Sequence, residues 1–447
     1  MYIVELIPLI AIALSVRCLQ IIVNPPFVGY TYQNPEQKKD IQLVAPNIDK
    51  TIDYVAMWYF KTAEYIRSTR IRAALVSTNS ICQGEQAVFV WQPLLEQYHV
   101  KIDFAYQTFR WDSEASLKAL VHCVIIGFSM FDVEASKFIY ASDKKKAKNI
   151  NCYLVDAPAL FIEKRSKPLC NVPKMCKGSQ PTDGGNMVLS RNEKEKLISQ
   201  APELLPYIRR YVGSEEYINN GERYCLWLTE ANPSVLKHCK LLRDRLEKVR
   251  EMRQSSTKAA TREWANKPFL FTENRQPNTP YIIVPSVSSE QRKYVPMGFL
   301  QPETIASNLA LIIPNASLFI FGVLTSNVHM AWMRTVCGRL KSDYRYSNTI
   351  VYNNFPWPTP TDAQRVKIEQ TAQGILDARA LYPDASLADL YDERTMPPEL
   401  RTAHQRNDRA VMEAYGFWGK LNTESECVAE LMKMYQQLTE ENRQSLQ

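Results

Sequence analysis

Over the first third of the chain, short apolar runs alternate with stretches whose apolar residues recur at helical spacing. Leu19 to Val23 is an apolar run that stops at Asn24-Pro25-Pro26-Phe27. A polar loop follows through Asp40, and residues 53–67 then carry Val55, Trp58, Tyr59, Ala63 and Ile66 at the spacing of a buried helical face. The pattern predicts a short strand over 73–76, a second helix over 88–98 and a strand over 101–106. The unbroken apolar run over 121–128 predicts a strand buried on both faces. Strand, helix, strand, helix and then paired strands is the second half of a doubly wound α/β domain.

Beyond residue 165 the pattern changes. Gly178, Gly184-Gly185 and several prolines mark a loop-rich entry. Residues 236–252 read as a helix with Leu242, Leu246, Val249 and Met252 on one side. It carries Lys237, Lys240, Arg243, Arg245, Lys248, Arg250 and, just beyond, Arg253, partly balanced by Asp244, Glu247 and Glu251. A solvated face and a phosphate-facing stripe fit it equally. Short apolar stretches over 268–271, 281–285 and 309–313 follow, separated by turns. Thr361 to the end reads as helical: Asp362 caps a run to Leu381, Pro383 stops it, and two further helices are expected over 398–415 and 424–438. The expected divisions are 1–165, 166–360 and 361–447.

Length and composition set limits. A chain of 447 residues with 45% apolar and 23% charged residues is a folded protein of two or three domains. A net charge of +7 permits a nucleic-acid partner without requiring one. Ten cysteines without a Cys-x-x-Cys pair argue for free thiols in a reduced, cytoplasmic protein, with no metal site expected. Residues 1–16 are strongly apolar but are interrupted by Glu5 and Pro8 and fall short of the ~20 residues that a membrane span needs. They predict a segment feeding the sheet, and a membrane anchor rests on them alone.

Asn24-Pro25-Pro26-Phe27 carries the candidate chemistry. Two prolines fix φ and have no N–H of their own, so their carbonyls are held and free to accept. Asn24 adds a side-chain acceptor and Phe27 a flat face. Such a cup suits a planar ring with an exocyclic amino group, such as a flipped adenine. Asn-Pro pairs also end strands as plain turns, and the tetrapeptide alone does not separate the two readings. Polar residues just past a strand, here Ser77-Thr78-Asn79-Ser80 and Gln83-Gly84-Glu85, stand where open α/β sheets place ligands, or serve as helix caps. Farther on, Arg275-Gln276, Arg292-Lys293 and the run Arg339-Leu340-Lys341-Ser342-Asp343-Tyr344-Arg345 offer loop side chains suited to phosphate and base edges, or to surface ion pairs.

Asn24-Pro25-Pro26-Phe27 resembles the motif of N6-adenine and N4-cytosine DNA methyltransferases. In order along the chain, VNPPFVG, DYVAMWYFKTAEYI, ALVSTNSICQGEQ, FAYQTFRWDSEA and VHCVIIGF resemble the second half of an MmeI-like DNA methyltransferase, an adenine-specific enzyme of type II restriction–modification systems. The similarity continues through YLVDAPALFI, GSQPTDGGNM, RYCLWL, PFLFTENRQPNTPYIIVPSVSSEQRKYVP, GRLKSDYRYSNTIVYNNFPWP and SLADLYDERTMPPELRTAH, from about residue 19 to the end. The resemblance implies S-adenosylmethionine as cofactor and double-stranded DNA as partner. The fold it implies is the second half of a Rossmann-like methyltransferase domain, a mixed target recognition domain and a helical C-terminal region. Asn24, Pro25, Pro26 and Phe27 would hold the flipped adenine. Phe109 would be a second stacking aromatic or a core residue, and Asp53 would line the cofactor side or pack its helix. Arg275, Arg292, Lys293, Arg339, Lys341 and Arg345 would face DNA. The look-alike Asn353-Asn354-Phe355-Pro356-Trp357-Pro358 matches the family's C-terminal junction, not a second methyl-transfer motif.

One departure stands out. The family's cofactor half precedes the motif and carries a Gly-rich turn, whereas the 23 residues before Asn24 contain no glycine. The expectation is the C-terminal portion of a longer enzyme, truncated, split or frameshifted and without its nuclease. The alternative is a catalytically inactive, sequence-specific DNA-binding module that needs a separately encoded cofactor-binding half.

Overall fold

The computed structural model describes residues 20–46, 48, 51–111, 121–133, 136–340 and 342–444. The apolar opening over 1–16 and Lys341 lie outside the described residues. The chain divides into two compact units, one comprising 1–170, 331–357 and 419–447, the other 171–330 and 358–418. Both are discontinuous in sequence.

The first unit is built on a six-stranded sheet of order β1-β2-β4-β3-β5-β6. The strands are β1 (Gln20–Val23), β2 (Arg72–Thr78), β3 (Lys101–Trp111), β4 (Val121–Ser129), β5 (Lys137–Tyr140) and β6 (Lys144–Ala147). β1 lies parallel to β2, with Val23 opposite Leu75. β4 is central and antiparallel to both β2 and β3. Its apolar run is unbroken because both faces are covered: Cys123, Val124, Ile126 and Phe128 are all buried. Gly127 is required there, since a Cβ would lie 2.0 Å from the Phe104 ring.

Two helices cover this sheet, Ala56–Tyr65 and Gly84–Glu96. The first starts three residues later than the spacing predicts, because Asp53 and the residues after it form turns. It buries Met57, Tyr59, Phe60 and Ala63. Tyr59 stacks on Phe128 at 5.7 Å and meets Trp91 edge-on at 5.5 Å. Its hydroxyl lies 2.9 Å from Ser77 Oγ. The C-terminal helix Glu424–Gln444 belongs to this unit and buries Val428, Leu431, Met432 and Tyr435.

In the second unit, two four-stranded sheets hold the short apolar stretches. Tyr281–Pro285 is buried along its whole length between Gly298–Leu300 and Ala310–Pro314. The stretch over 268–271 forms turns, not a strand. The predicted helix over 236–252 is two, Pro233–His238 and Lys240–Gln254, broken at Cys239 (ψ 105°). Arg253 leaves the basic stripe altogether. It is fully buried, and its guanidinium donates to the carbonyls of Pro181, Thr182, Trp264, Lys267 and Leu270. All five of its donors are thereby used inside the unit. Helix Asp362–Ala380 is capped by Thr361, one residue before the expected Asp362, through a reciprocal bond pair with Gln364. Among the described residues no helix is long and apolar enough to cross a membrane.

Candidate functional site

β1, β2 and β3 point the same way, so their C-terminal ends share one edge of the sheet. Asn24 is the first residue past β1 on that edge. Asn24 and Pro26 are exposed, Pro25 is buried, and Phe27 is half-buried. The buried ring of Pro25 anchors the turn, while the Asn24 carboxamide stays open to solvent.

Hydrogen bonds from three segments brace this turn. Val28 O accepts from Tyr54 N–H at 2.9 Å. Asp53 Oδ1 accepts from Tyr30 N–H at 3.1 Å, and Oδ2 accepts from the Ser80 hydroxyl at 2.6 Å. Asp53 N–H in turn donates to Gln86 Oε1 at 3.1 Å. Each oxygen of Asp53 is therefore already engaged, and the carboxylate ties the turn after β1 to the loop after β2. Asp53, expected on the cofactor side, is placed as a brace. Its partners Tyr30 and Gln86 gave no sequence signal. Ser80 did lie in the polar stretch past the second strand.

Phe109 shares the edge without adjoining the turn. It pairs with Cys123, which pairs on its other side with Thr78, so Phe109 and Thr78 occupy one row across the sheet. A register shift between Tyr106 and Phe109 re-aims this end of β3. Three inter-strand spacings, ~14 Å in all, separate β3 from β1. Phe109 is half-buried, with its ring centroid 6.1 Å from that of Trp111.

The basic candidates differ in how committed they are. In the second unit, Arg275 is held by Glu273 at 2.6 Å and by the Gly178 carbonyl. Arg292 is half-buried, and it assists Arg394 in holding the Asp392 carboxyl down to about 2. Lys293 is exposed, with Nζ 5.4 Å from the Tyr294 ring centroid. In the first unit, Gly338–Leu340 and Asp343–Arg345 form a hairpin. Arg339 lies 3.9 Å over the Tyr344 ring and donates to the Ser342 carbonyl. Arg345 is exposed on the same hairpin. No cluster of three or more His, Cys, Asp or Glu side chains placed to hold a metal occurs among the described residues.

Comparison with known proteins sets this geometry in context. Three family models match in succession: the MmeI DNA-methyltransferase domain over residues 12–141, the MmeI target recognition domain over 156–359 and the MmeI C-terminal domain over 360–442. DNA methyltransferase A of Bacillus subtilis (strain 168) is 38% identical over 420 residues, covering 93% of this chain and 47% of that protein. The solved structure of the Type IIL restriction–modification enzyme MmeI in complex with DNA is 46% identical. It superposes with a TM-score of 0.84 over 95% of this chain and 57% of that one. The chain thus spans about half the length of these relatives.

Proposed function

Because this chain belongs to the MmeI-like family of restriction–modification DNA methyltransferases, we propose that it serves site-specific methylation of adenine N6 in double-stranded DNA. The target adenine is flipped from the duplex onto Asn24-Pro25-Pro26-Phe27. Its amino group donates to the Asn24 side-chain oxygen and the Pro25 carbonyl, and its ring lies on Phe27. Accepting both N6 protons makes the nitrogen lone pair more available, so transfer is direct and forms no covalent enzyme intermediate. Phe109 lines the far end of the same edge.

The observation that carries this reading is the position of Asn24. It is exposed, first beyond β1, on a turn braced by Asp53 and Tyr54. Dipoles fixed in advance where charge develops contribute more than mobile ones. The family uses S-adenosylmethionine in general, and when bound it supplies the methyl group. Asp53, expected to line the cofactor side or to pack its helix, braces the turn after β1 with both carboxylate oxygens. DNA contacts are assigned to Arg275, Arg292, Lys293, Arg339, Lys341 and Arg345. The two exposed cations among the described ones, Lys293 and Arg345, are the foremost phosphate contacts.

The test is Asn24→Ala in a methylation assay with DNA and S-adenosylmethionine, in the protein as it is made in the cell. Methylation should fall by about 10²–10³-fold while DNA affinity holds. Full activity in this variant would sink the mechanism. DNA binding with no methylation even in the parent would narrow the function to a recognition module. Binding should also weaken steeply between low and moderate salt, because phosphate contacts release counterions.

A further inference from the structure

The chain that leaves the turn at Asn24–Phe27 carries side chains that the reading above does not use. Tyr30–Tyr32 form a single 3-10 turn, and helix Pro35–Val44 follows directly. Tyr32 is 86% exposed and Tyr30 44%. Scattered exposed rings are ordinary, but two within three residues, beside the candidate site, make a patch. Aromatic side chains dominate the energetics of cores and interfaces, so a pair left in water points to something that covers them.

The backbone under these rings is fixed from both sides. Tyr30 N–H donates to Asp53 Oδ1 at 3.1 Å, and Tyr32 N–H to Gly29 O at 2.9 Å. Gln33, next in the chain, is buried, and its Nε2 donates to Ile52 O at 2.9 Å. Asn34 and Gln37 then close a capping box on the helix. A Cβ placed on Gly29 would lie 3.7 Å from both Asp53 Oδ1 and Tyr32 Cδ2, so the ring of Tyr32 starts beside the brace. The ring itself is uncommitted. Among the described residues it has no aromatic partner, and its hydroxyl has no hydrogen bond. A held backbone that presents a free ring is preorganised for a partner arriving from outside.

Charge decides the class of that partner. Lys38 and Lys39 are exposed on the helix that follows, and neither is paired with a carboxylate among the described residues. Glu36 in the first turn offsets one of them. Rings beside unpaired lysines suit nucleic acid, the ring meeting a base face and the ammonium a phosphate. The segment also stands on the edge that carries Asn24, since Asp53 ties Tyr30 to Ser80 after β2.

We propose that Tyr32 is a positioning residue whose ring fills the place a flipped base leaves in the duplex, with Lys38 and Lys39 on the flanking phosphates. It rests on the reading of the chain as a base-flipping, DNA-acting enzyme. Flipping unstacks a base, and an aromatic ring that takes the vacated position offsets part of that cost. One braced segment, residues 24–32, then holds both the seat of the flipped base and the gap behind it.

Two labelled duplex pools with random flanks test this, one intact and one with a single abasic site in place of a central adenine. The abasic pool presents the vacated position with no base to flip. In fluorescence anisotropy at constant salt, the full chain should bind the abasic pool about 5-fold more tightly. Tyr32→Ala should remove that preference and Tyr32→Phe should keep it, and both should leave Tm within about 2 °C. Joint Lys38→Gln and Lys39→Gln should weaken both pools alike and reduce the salt slope by ~1–2. Equal binding of the two pools by the parent chain, or a preference that survives in Tyr32→Ala, would overturn the proposal and leave the methyltransferase reading standing. Loss of the preference in Tyr32→Phe would do the same, because stacking needs the ring and not the hydroxyl. Undiminished binding in the lysine variant would overturn the phosphate contacts. Failure to bind either pool would sink the DNA-acting reading itself, and this proposal with it.

Discussion

The first unit contains two stretches of nearly the same letters, Asn24-Pro25-Pro26-Phe27 and Asn353-Asn354-Phe355-Pro356-Trp357, in opposite surroundings. The first follows a parallel strand at the open edge of the sheet, and its asparagine faces solvent. The second follows a single π-turn, Asn348–Tyr352, and is buried throughout. Asn354 Nδ2 donates to the carbonyls of Glu163, Thr349 and Ile350. Asn353 Nδ2 donates to Arg165 O, and Leu169 N–H returns a bond to Asn353 O. The NH2 groups of the second stretch are spent on the chain itself, with their oxygens buried and without a hydrogen-bond partner among the described residues, whereas the side chain of Asn24 stands in solvent. What an Asn-Pro-aromatic motif does is thus decided by where the backbone puts it.

The comparison can be broken by substitution, and the largest effect is expected in the buried copy. Phe355 is fully buried, with ring centroids 5.5 Å from Trp357 and 6.2 Å from Trp332. Phe355→Ala should cost about 3–5 kcal/mol in urea unfolding of the full chain. Next comes Asn354→Ala. Its two N–H groups, shared among three buried carbonyls, are lost, so a loss of about 2 kcal/mol is expected at roughly one per donor. A loss below about 1 kcal/mol would mean that these bonds are not what holds residues 163–170 to the π-turn.

Asp53→Ala lies between the two copies. It removes one backbone and one hydroxyl bond from a half-buried site, so stability should fall by about 1–2 kcal/mol. It should also loosen the turn after β1, so methylation should fall more than stability alone explains. Asp53→Asn, which can still accept from Tyr30 N–H, should restore most of the stability. Methylation left unchanged by both variants would remove Asp53 from the positioning of Asn24.

Much of this arrangement was legible in the residues. The apolar runs marked β1, β2, β3 and β4, and the run in β4 is unbroken because that strand, covered on both faces, has nowhere to put polar side chains. The stop at Asn24 marked the edge. The brace was not legible, since Asp53, Ser80, Tyr30 and Gln86 meet only when β1 and β2 pair, and no local spacing encodes that meeting. Arg253 misled for a related reason: a cation inside a basic helix reads as surface until the five carbonyls around it are in place. The side-chain oxygen of Gln83, buried and unpaired among the described residues, was equally invisible. It stood in a polar stretch past a strand, as a helix cap does, and only the fold shows that it caps nothing.

The smallest stability effect is expected at Asn24 itself, and it sharpens the comparison most. Asn24 is exposed, and its side chain makes no hydrogen bond among the described residues, so Asn24→Ala should change unfolding free energy by no more than about 0.5 kcal/mol. If the same substitution removes methylation, stability and function separate cleanly at this one side chain, while at Asn354 they fall together. If instead Asn24→Ala destabilises the chain by 2 kcal/mol or more, roughly the loss of a buried hydrogen-bonded group, then the exposed copy is structural after all. The two stretches would then be the same device used twice, and the acceptor for an adenine amino group would have to be sought elsewhere on the edge.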